Sequence, residues 1–191
     1  MNKESSHSRS KKKFKNIVIS GGIGTGKSTL ARNLAKELGW EMISSGEWFR
    51  RWHEENNFPL DRPDLVPKDV DEQLDYGLQK KMREEENIVF ESHLGGWLAQ
   101  DISTTFKVLC TAEWDTMIER ASKRDGKSFL EEERFAKKRG ETLATKFEKL
   151  YKVKDTFDPN FFDLVVDTTT LSPEQVLEMV IKKIDEINLK N

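Results

Sequence analysis

Residues 21–28 read GGIGTGKS and match the pattern GxxxxGK[ST] at every fixed position. Gly21, Gly22, Gly24 and Gly26 let successive backbone N–H groups turn inward around phosphate oxygens, and a helix opening here adds the positive end of its dipole. Lys27 supplies a mobile cation, and Ser28 is the expected Mg²⁺ ligand. The run Gly21, Gly22, Ile23, Gly24, Thr25, Gly26, Lys27 and Ser28, with Thr29 after it, is therefore the expected phosphate site. A P-loop of this kind names a phosphate, not a substrate.

Further groups narrow the chemistry. Ser44, Ser45 and Gly46, followed by Phe49 and Arg50, place a hydroxyl at a helix start and a guanidinium about one turn on. That pairing suits a phosphorylated acceptor, because arginine grips phosphate in a fixed fork, and it reads equally as a helix cap with a surface arginine. Glu91 ends the apolar run NIVFE, where its carboxylate could order Mg²⁺ or its waters, or bind an acceptor group. His93 follows in ESHLGGW, with Gly95 and Gly96 permitting close backbone approach to a ligand; a lone histidine leaves its role open. Arg120 and Arg124, four apart, read either as a clamp on a nucleotide or as a basic stripe paired with Glu119 and Asp125.

The elements that must hold these groups follow from hydrophobic periodicity. Residues 16–20 (NIVIS) read as a buried strand, and 29–38 as a helix with Leu30, Leu34 and Leu38 on one face, closed by Gly39. Strands are expected at 41–43, 87–91, 106–111 and 161–167. Helices are expected after a cap at Ser45 or Gly46, over 68–86, over 113–123, and from a capping box at Ser172 and Gln175 with Pro173 inside it. Short apolar strands alternating with helices imply an α/β fold, a parallel sheet with helices on both faces, and ligands bind beyond the carboxyl ends of such strands. Residues 128–154, rich in both charge signs and poor in apolar residues, are expected to form a mobile helical lid, an excursion of about residues 126–156.

Composition sets the outer bounds. A chain of 191 residues has room for one domain, here 16–191, after a basic tail at 1–15 expected to be disordered. The balance of 32 Lys+Arg against 34 Asp+Glu, net −2, argues against a protein that coats nucleic acid. No apolar stretch approaches the ~20 residues of a membrane helix, so no membrane partner is expected. Cys110 is the one cysteine, which excludes an intrachain disulfide and a cysteine metal cluster and fits a cytoplasmic home.

Taken in order and spacing, the motifs resemble those of cytidylate kinases of the short, archaeal type, within the nucleoside monophosphate kinases. GGIGTGKSTLA is similar to that family's GPPGSGKSTLA, ISSGEWFR to its ISxGxxFR, VFESHLGGW to its VLEGRLAGW, and FDLVVDTTTLSPEQV to its YDLVINTSxxSPEEV, a likeness spanning residues 16–187. The resemblance implies a P-loop fold with strand order 2-3-1-4-5 and transfer of the ATP γ-phosphoryl group to CMP or dCMP with Mg²⁺. It also implies a small nucleotide as substrate; a monomer is expected, with oligomeric state left open by the residues. On the same footing Ser45, Arg50, Glu91 and His93 belong to the acceptor, Arg120 and Arg124 to ATP, and residues 167–172 to the adenine edge. Two departures stand out. His93 replaces an arginine that helps hold the acceptor phosphate, and Leu143, Ala144, Thr145, Lys146 and Phe147 stand where the family lid reads ERRRY. Lys137, Lys138, Arg139 and Lys146 are the available lid cations; Arg139 joins Lys27 as the expected catalytic pair. The residues themselves also admit a kinase for another small acceptor, or a nucleotide-binding module with weak turnover.

Overall fold

β-branched side chains at consecutive positions suit a strand buried on both faces. A computed structural model, which describes residues 14–189, forms β1 (Asn16–Gly21) from such a run, with all six residues buried. Ile17 and Ile19 enter one core and Val18 the other, as the period of two requires. β1 is central in an all-parallel sheet with β2 (Glu41–Ser44), β3 (Ile88–Glu91), β4 (Thr105–Thr111) and β5 (Leu164–Asp167), in the order β2-β3-β1-β4-β5. This is the order the resemblance implied.

Helices cover both faces. α1 (Lys27–Leu38) and α7 (Pro173–Leu189) pack Leu30, Leu34, Val176 and Val180 onto Ile17, Ile19, Phe106 and Val108. On the other face α3 (Lys68–Glu84) sets Leu78 and Met82 against Val18, Ile88 and Phe90. Each side chain so buried stabilises the fold by about 1.5–3 kcal/mol relative to leaving it in water. α2 (Ser45–Glu55), the short α4 (Gly95–Leu98) and α5 (Trp114–Asp125) follow the carboxyl ends of β2, β3 and β4. Cys110 in β4 is 1% exposed and backs the phosphate loop: a Cβ on Gly21 would lie 2.5 Å from its carbonyl oxygen.

The structure corrects three expectations. Phe14 and Lys15 do not belong to a tail. Phe14 is 6% exposed with its ring 5.0 Å from Phe106, and the Lys15 N–H donates to the Thr104 carbonyl at 2.7 Å. The rest of the expected tail, residues 1–13, lies outside the described residues. Second, the lid segment is helical as expected, a single 23-residue helix α6 (Phe129–Tyr151) opened by a reciprocal capping box between Ser128 and Glu131, but one face of it is docked. Leu143, Phe147, Leu150 and Tyr151, spaced by helical turns, pack with Leu94, Leu98 and Val153 in a third apolar cluster, so charge density concealed a docked face. Third, Gly95 and Gly96 make room for protein, not ligand. A Cβ on Gly95 would come within 2.4 Å of Val18, and one on Gly96 within 2.3 Å of the Phe162 ring. Among the described residues no helix is long and apolar enough to cross a membrane.

Candidate active site

The loop between β1 and α1 begins where the sheet's central strand ends, and two glycines give it its path. Gly24 has φ +70° and lies so close to α5 that a Cβ would sit 2.1 Å from the Met117 carbonyl oxygen; Gly26 has φ +80°. Such φ values favour glycine. Thr25, 2% exposed, donates its hydroxyl to the Gly22 carbonyl at 3.0 Å and so fixes the loop from within. Gly26 is the N-cap of α1 and provides no side-chain cap, which leaves the first-turn N–H groups of Lys27, Ser28 and Thr29 available to an anion.

Lys27 spans the loop. Its ammonium donates to the Gly22 carbonyl at 3.1 Å and lies 3.7 Å from Glu91 Oε1. Burial lowers its pKa first of all, Glu91 opposes that shift, and Arg139 and Arg124 add to it. A cation in that setting gains from an arriving phosphate. Glu91 is 3% exposed and gathers three partners: Lys27, the Ser28 hydroxyl at 3.3 Å, and the Ser44 hydroxyl. Ser44, not Ser45 or Gly46, is the N-cap of α2, accepting from the Glu47 N–H at 3.1 Å. The signal was present in sequence, for Ser44-Ser45-Gly46-Glu47 has the S-x-x-E form of a capping box. Ser45 opens α2 and is 5% exposed.

A cleft of about 740 Å³ lies over this loop. Gly24, Gly26, Lys27, Ser28 and Thr29 form its base, and Arg50, Arg120, Arg124 and Arg139 converge on it from α2, α5 and α6. Burial lowers the Arg139 pKa, with the positive fields of Arg50 and Arg124 next, so three guanidiniums crowd one space. They remain charged, as arginine does in proteins. Arg120 is held by its neighbours: it donates to the Thr168 hydroxyl at 3.0 Å and to the Thr168 carbonyl at 2.8 Å, and the same hydroxyl lies 3.0 Å from the Thr25 carbonyl. α5, the end of β5 and the phosphate loop are tied together by that bracket. Leu171, Pro173 and Val176 add an apolar wall on this side, and Arg124 shares the cleft while paired with Asp125 at 2.6 Å.

The other candidates fall elsewhere. His93 is half-buried between the Phe147 and Phe157 rings, 5.6 and 4.6 Å between centroids, with Nε2 3.3 Å from the Thr156 hydroxyl. Desolvation foremost, then Lys27 and Arg139, pushes its pKa down to about 3, so the ring is neutral. Of Lys137, Lys138, Arg139 and Lys146, Arg139 lines the cleft. Lys137 pairs with Glu133 at 2.8 Å, Lys138 with Asp61 at 2.5 Å, and Lys146 with the buried Asp71 at 2.6 Å. Phe135 and Lys127, which sequence did not single out, also face the cleft.

Among the described residues no group of three or more His, Cys, Asp or Glu could hold a metal ion by itself.

Comparison with known proteins agrees with the geometry. A family described as an AAA domain matches residues 17–141. A cytidylate kinase of Ignicoccus hospitalis is 36% identical over 167 residues, 86% of this chain and 95% of that protein; one of Haloarcula marismortui is 33% identical over 174 residues, 88% of each. Among solved structures, a gluconokinase from Sinorhizobium meliloti superposes with a TM-score of 0.65 over 94% of this chain and 96% of that one, at 14% identity, a likeness of fold alone. By the extent and level of its identity to these relatives, the chain belongs to the cytidylate kinase family.

Proposed function

We propose that the protein transfers the γ-phosphoryl group of ATP to CMP or dCMP, in the presence of Mg²⁺. The observation that carries this reading is the convergence of Lys27, Arg50, Arg124, Arg139 and the first turn of α1 on one cleft with Glu91 beside it. A monophosphate and a triphosphate brought together need this density of positive charge, because two polyanions repel until it is neutralised.

The reaction balances simply. An oxygen of the acceptor phosphate forms a bond to the γ-phosphorus as the bond to the β,γ-bridging oxygen breaks, giving a diphosphate and ADP. The acceptor oxygen is already ionised at neutral pH, so the protein's work is positioning and charge neutralisation. Loop N–H groups and Lys27 hold the donor phosphates, and Leu171, Pro173 and Val176 with the fixed Arg120 offer a surface for the donor base. Arg50 grips the acceptor phosphate, and Arg139, arriving from α6, faces the group in transfer. Ser28 would hold Mg²⁺ together with the phosphates, with Glu91 behind that hydroxyl; when bound, the ion neutralises and aligns the phosphate oxygens. Glu91 also restrains Ser44 and Lys27, and thereby joins the acceptor-side helix α2 to the phosphate loop. His93 supports the site by packing, since its ring is neutral and engaged with aromatic neighbours.

A coupled assay of ADP formation across CMP, dCMP, UMP, AMP and GMP, with ATP and Mg²⁺, tests the proposal. CMP or dCMP should give the highest kcat/KM; clear preference for AMP, GMP or a non-nucleotide acceptor would overturn the substrate assignment.

A further inference from the structure

Residues 132, 139 and 146 of α6 are Glu, Arg and Lys, and a spacing of seven brings them onto one helix face with only about 20° of drift per step. All three turn inward. Glu132 is 0% exposed and the Lys146 side chain 9%. The outer two are pinned. Glu132 lies 3.3 Å from Lys127, while Lys146 lies 2.6 Å from Asp71 on α3 and donates to the Pro63 carbonyl at 2.6 Å. Arg139, between them, has no ion pair among the described residues and faces the cleft.

The largest apolar anchors of α6 lie from residue 143 onward, where Leu143, Phe147, Leu150 and Tyr151 join one cluster, while nearer to Arg139 the buried apolar residue is the small Ala136. Apolar contacts are non-directional, so they hold a helix down more firmly than they fix its rotation. A buried pair with one charge on each helix and a backbone carbonyl as third partner fixes both rotation and height. We propose that Lys146, through Asp71 and the Pro63 carbonyl, is the positioning residue for Arg139. It sets the rotation of α6 that aims the guanidinium two turns earlier at the transferring phosphoryl group. The inference rests on the catalytic role given above to Arg139.

The test compares Lys146→Met, Lys146→Arg, Asp71→Asn/Lys146→Met and Arg139→Ala, alone and combined, with ATP, Mg²⁺ and CMP. Lys146→Met should lower kcat roughly tenfold to a hundredfold while both KM values stay within about twofold, the cost of slight misplacement. Lys146→Arg, which can still pair with Asp71, should recover most of the turnover. The double variant removes the buried carboxylate that Lys146→Met leaves unpaired, so it should regain melting temperature and keep the low kcat. In an Arg139→Ala background, Lys146→Met should lower kcat no further than about twofold, as expected of a residue acting through the one removed. Recovery of kcat along with melting temperature in the double variant would reduce Lys146 to a structural role and overturn the inference. So would an equal loss in the Arg139→Ala background, or full activity of Lys146→Met where Arg139→Ala is impaired. Wild-type turnover in Arg139→Ala would instead remove the catalytic role of Arg139 and this inference with it.

Discussion

In the proposed reading Arg50 carries the acceptor phosphate, for it lines the cleft while the imidazole of His93, neutral and held between two phenyl rings, is not part of that lining. Arg50→Ala should raise the CMP KM roughly tenfold to a hundredfold, the equivalent of about 1.5–3 kcal/mol for a charge-assisted contact. His93→Phe keeps ring volume and stacking, and its acceptor KM should stay within about twofold of wild type, with no inflection assignable to His93 between about pH 5 and 9. Steady-state kinetics of both variants decide this; a large KM increase in His93→Phe would return the histidine to the acceptor. Lys27→Ala should cost roughly a hundredfold or more in kcat with an unchanged circular-dichroism spectrum, since the ammonium touches Gly22 and Glu91 at the cleft and no apolar core. Near-normal turnover would remove Lys27 from the reaction. The shape of the loop between β1 and α1 was legible residue by residue. A glycine pattern fixes backbone shape, so the loop could be read directly, whereas the environment of His93 depends on Phe147 and Phe157, 54 and 64 positions away.

Between elements, the α3–α6 contact carries the least expected chemistry. Asp75, 3% exposed, accepts from the Tyr151 hydroxyl at 2.8 Å one helical turn beyond the Asp71–Lys146 pair, and burial pushes its pKa up to about 7 from an ordinary value of 3.8. The folded protein therefore keeps a proton on Asp75 that the unfolded chain has already released. Its contribution to stability is complete below about pH 4 and is lost as pH rises to about 7. Asp75→Asn offers Tyr151 a neutral partner at every pH, so between those values the wild-type melting temperature should fall relative to the variant. Thermal melts across that window measure it, and parallel profiles would contradict it. The strands and α1 were legible because their apolar residues are contiguous or evenly spaced. α6 was read as a mobile helical excursion because Glu132, Arg139 and Lys146, all on its inner face, look like surface residues until the packing around them is known.

For the whole molecule, a net charge of −2 coexists with a strongly positive interior cleft: Lys27, Arg32, Arg50, Arg124, Lys127 and Arg139 line it, with Asp125 as the acidic group on that wall among the described residues. Low-dielectric walls focus such a field, so a compact polyanion should bind without any base attached. Inorganic tripolyphosphate should accordingly raise the melting temperature, and the effect should shrink as salt increases from about 50 to 500 mM. A salt-independent shift, or none, would place the binding energy in the base-facing wall instead. The same molecule holds its single thiol against the back of the phosphate loop. Cys110 is 1% exposed and burial pushes its pKa up to about 12, so at neutral pH it is both unreachable and un-ionised. A thiol reagent then clocks the opening of the sheet. Labelling of the native protein should proceed in one slow phase, slowed further by ATP and Mg²⁺ as binding draws the population away from open forms, and should become immediate in denaturant. Rapid stoichiometric labelling of folded protein would mean that β4 parts from the loop far more readily than the rest of the sheet unfolds.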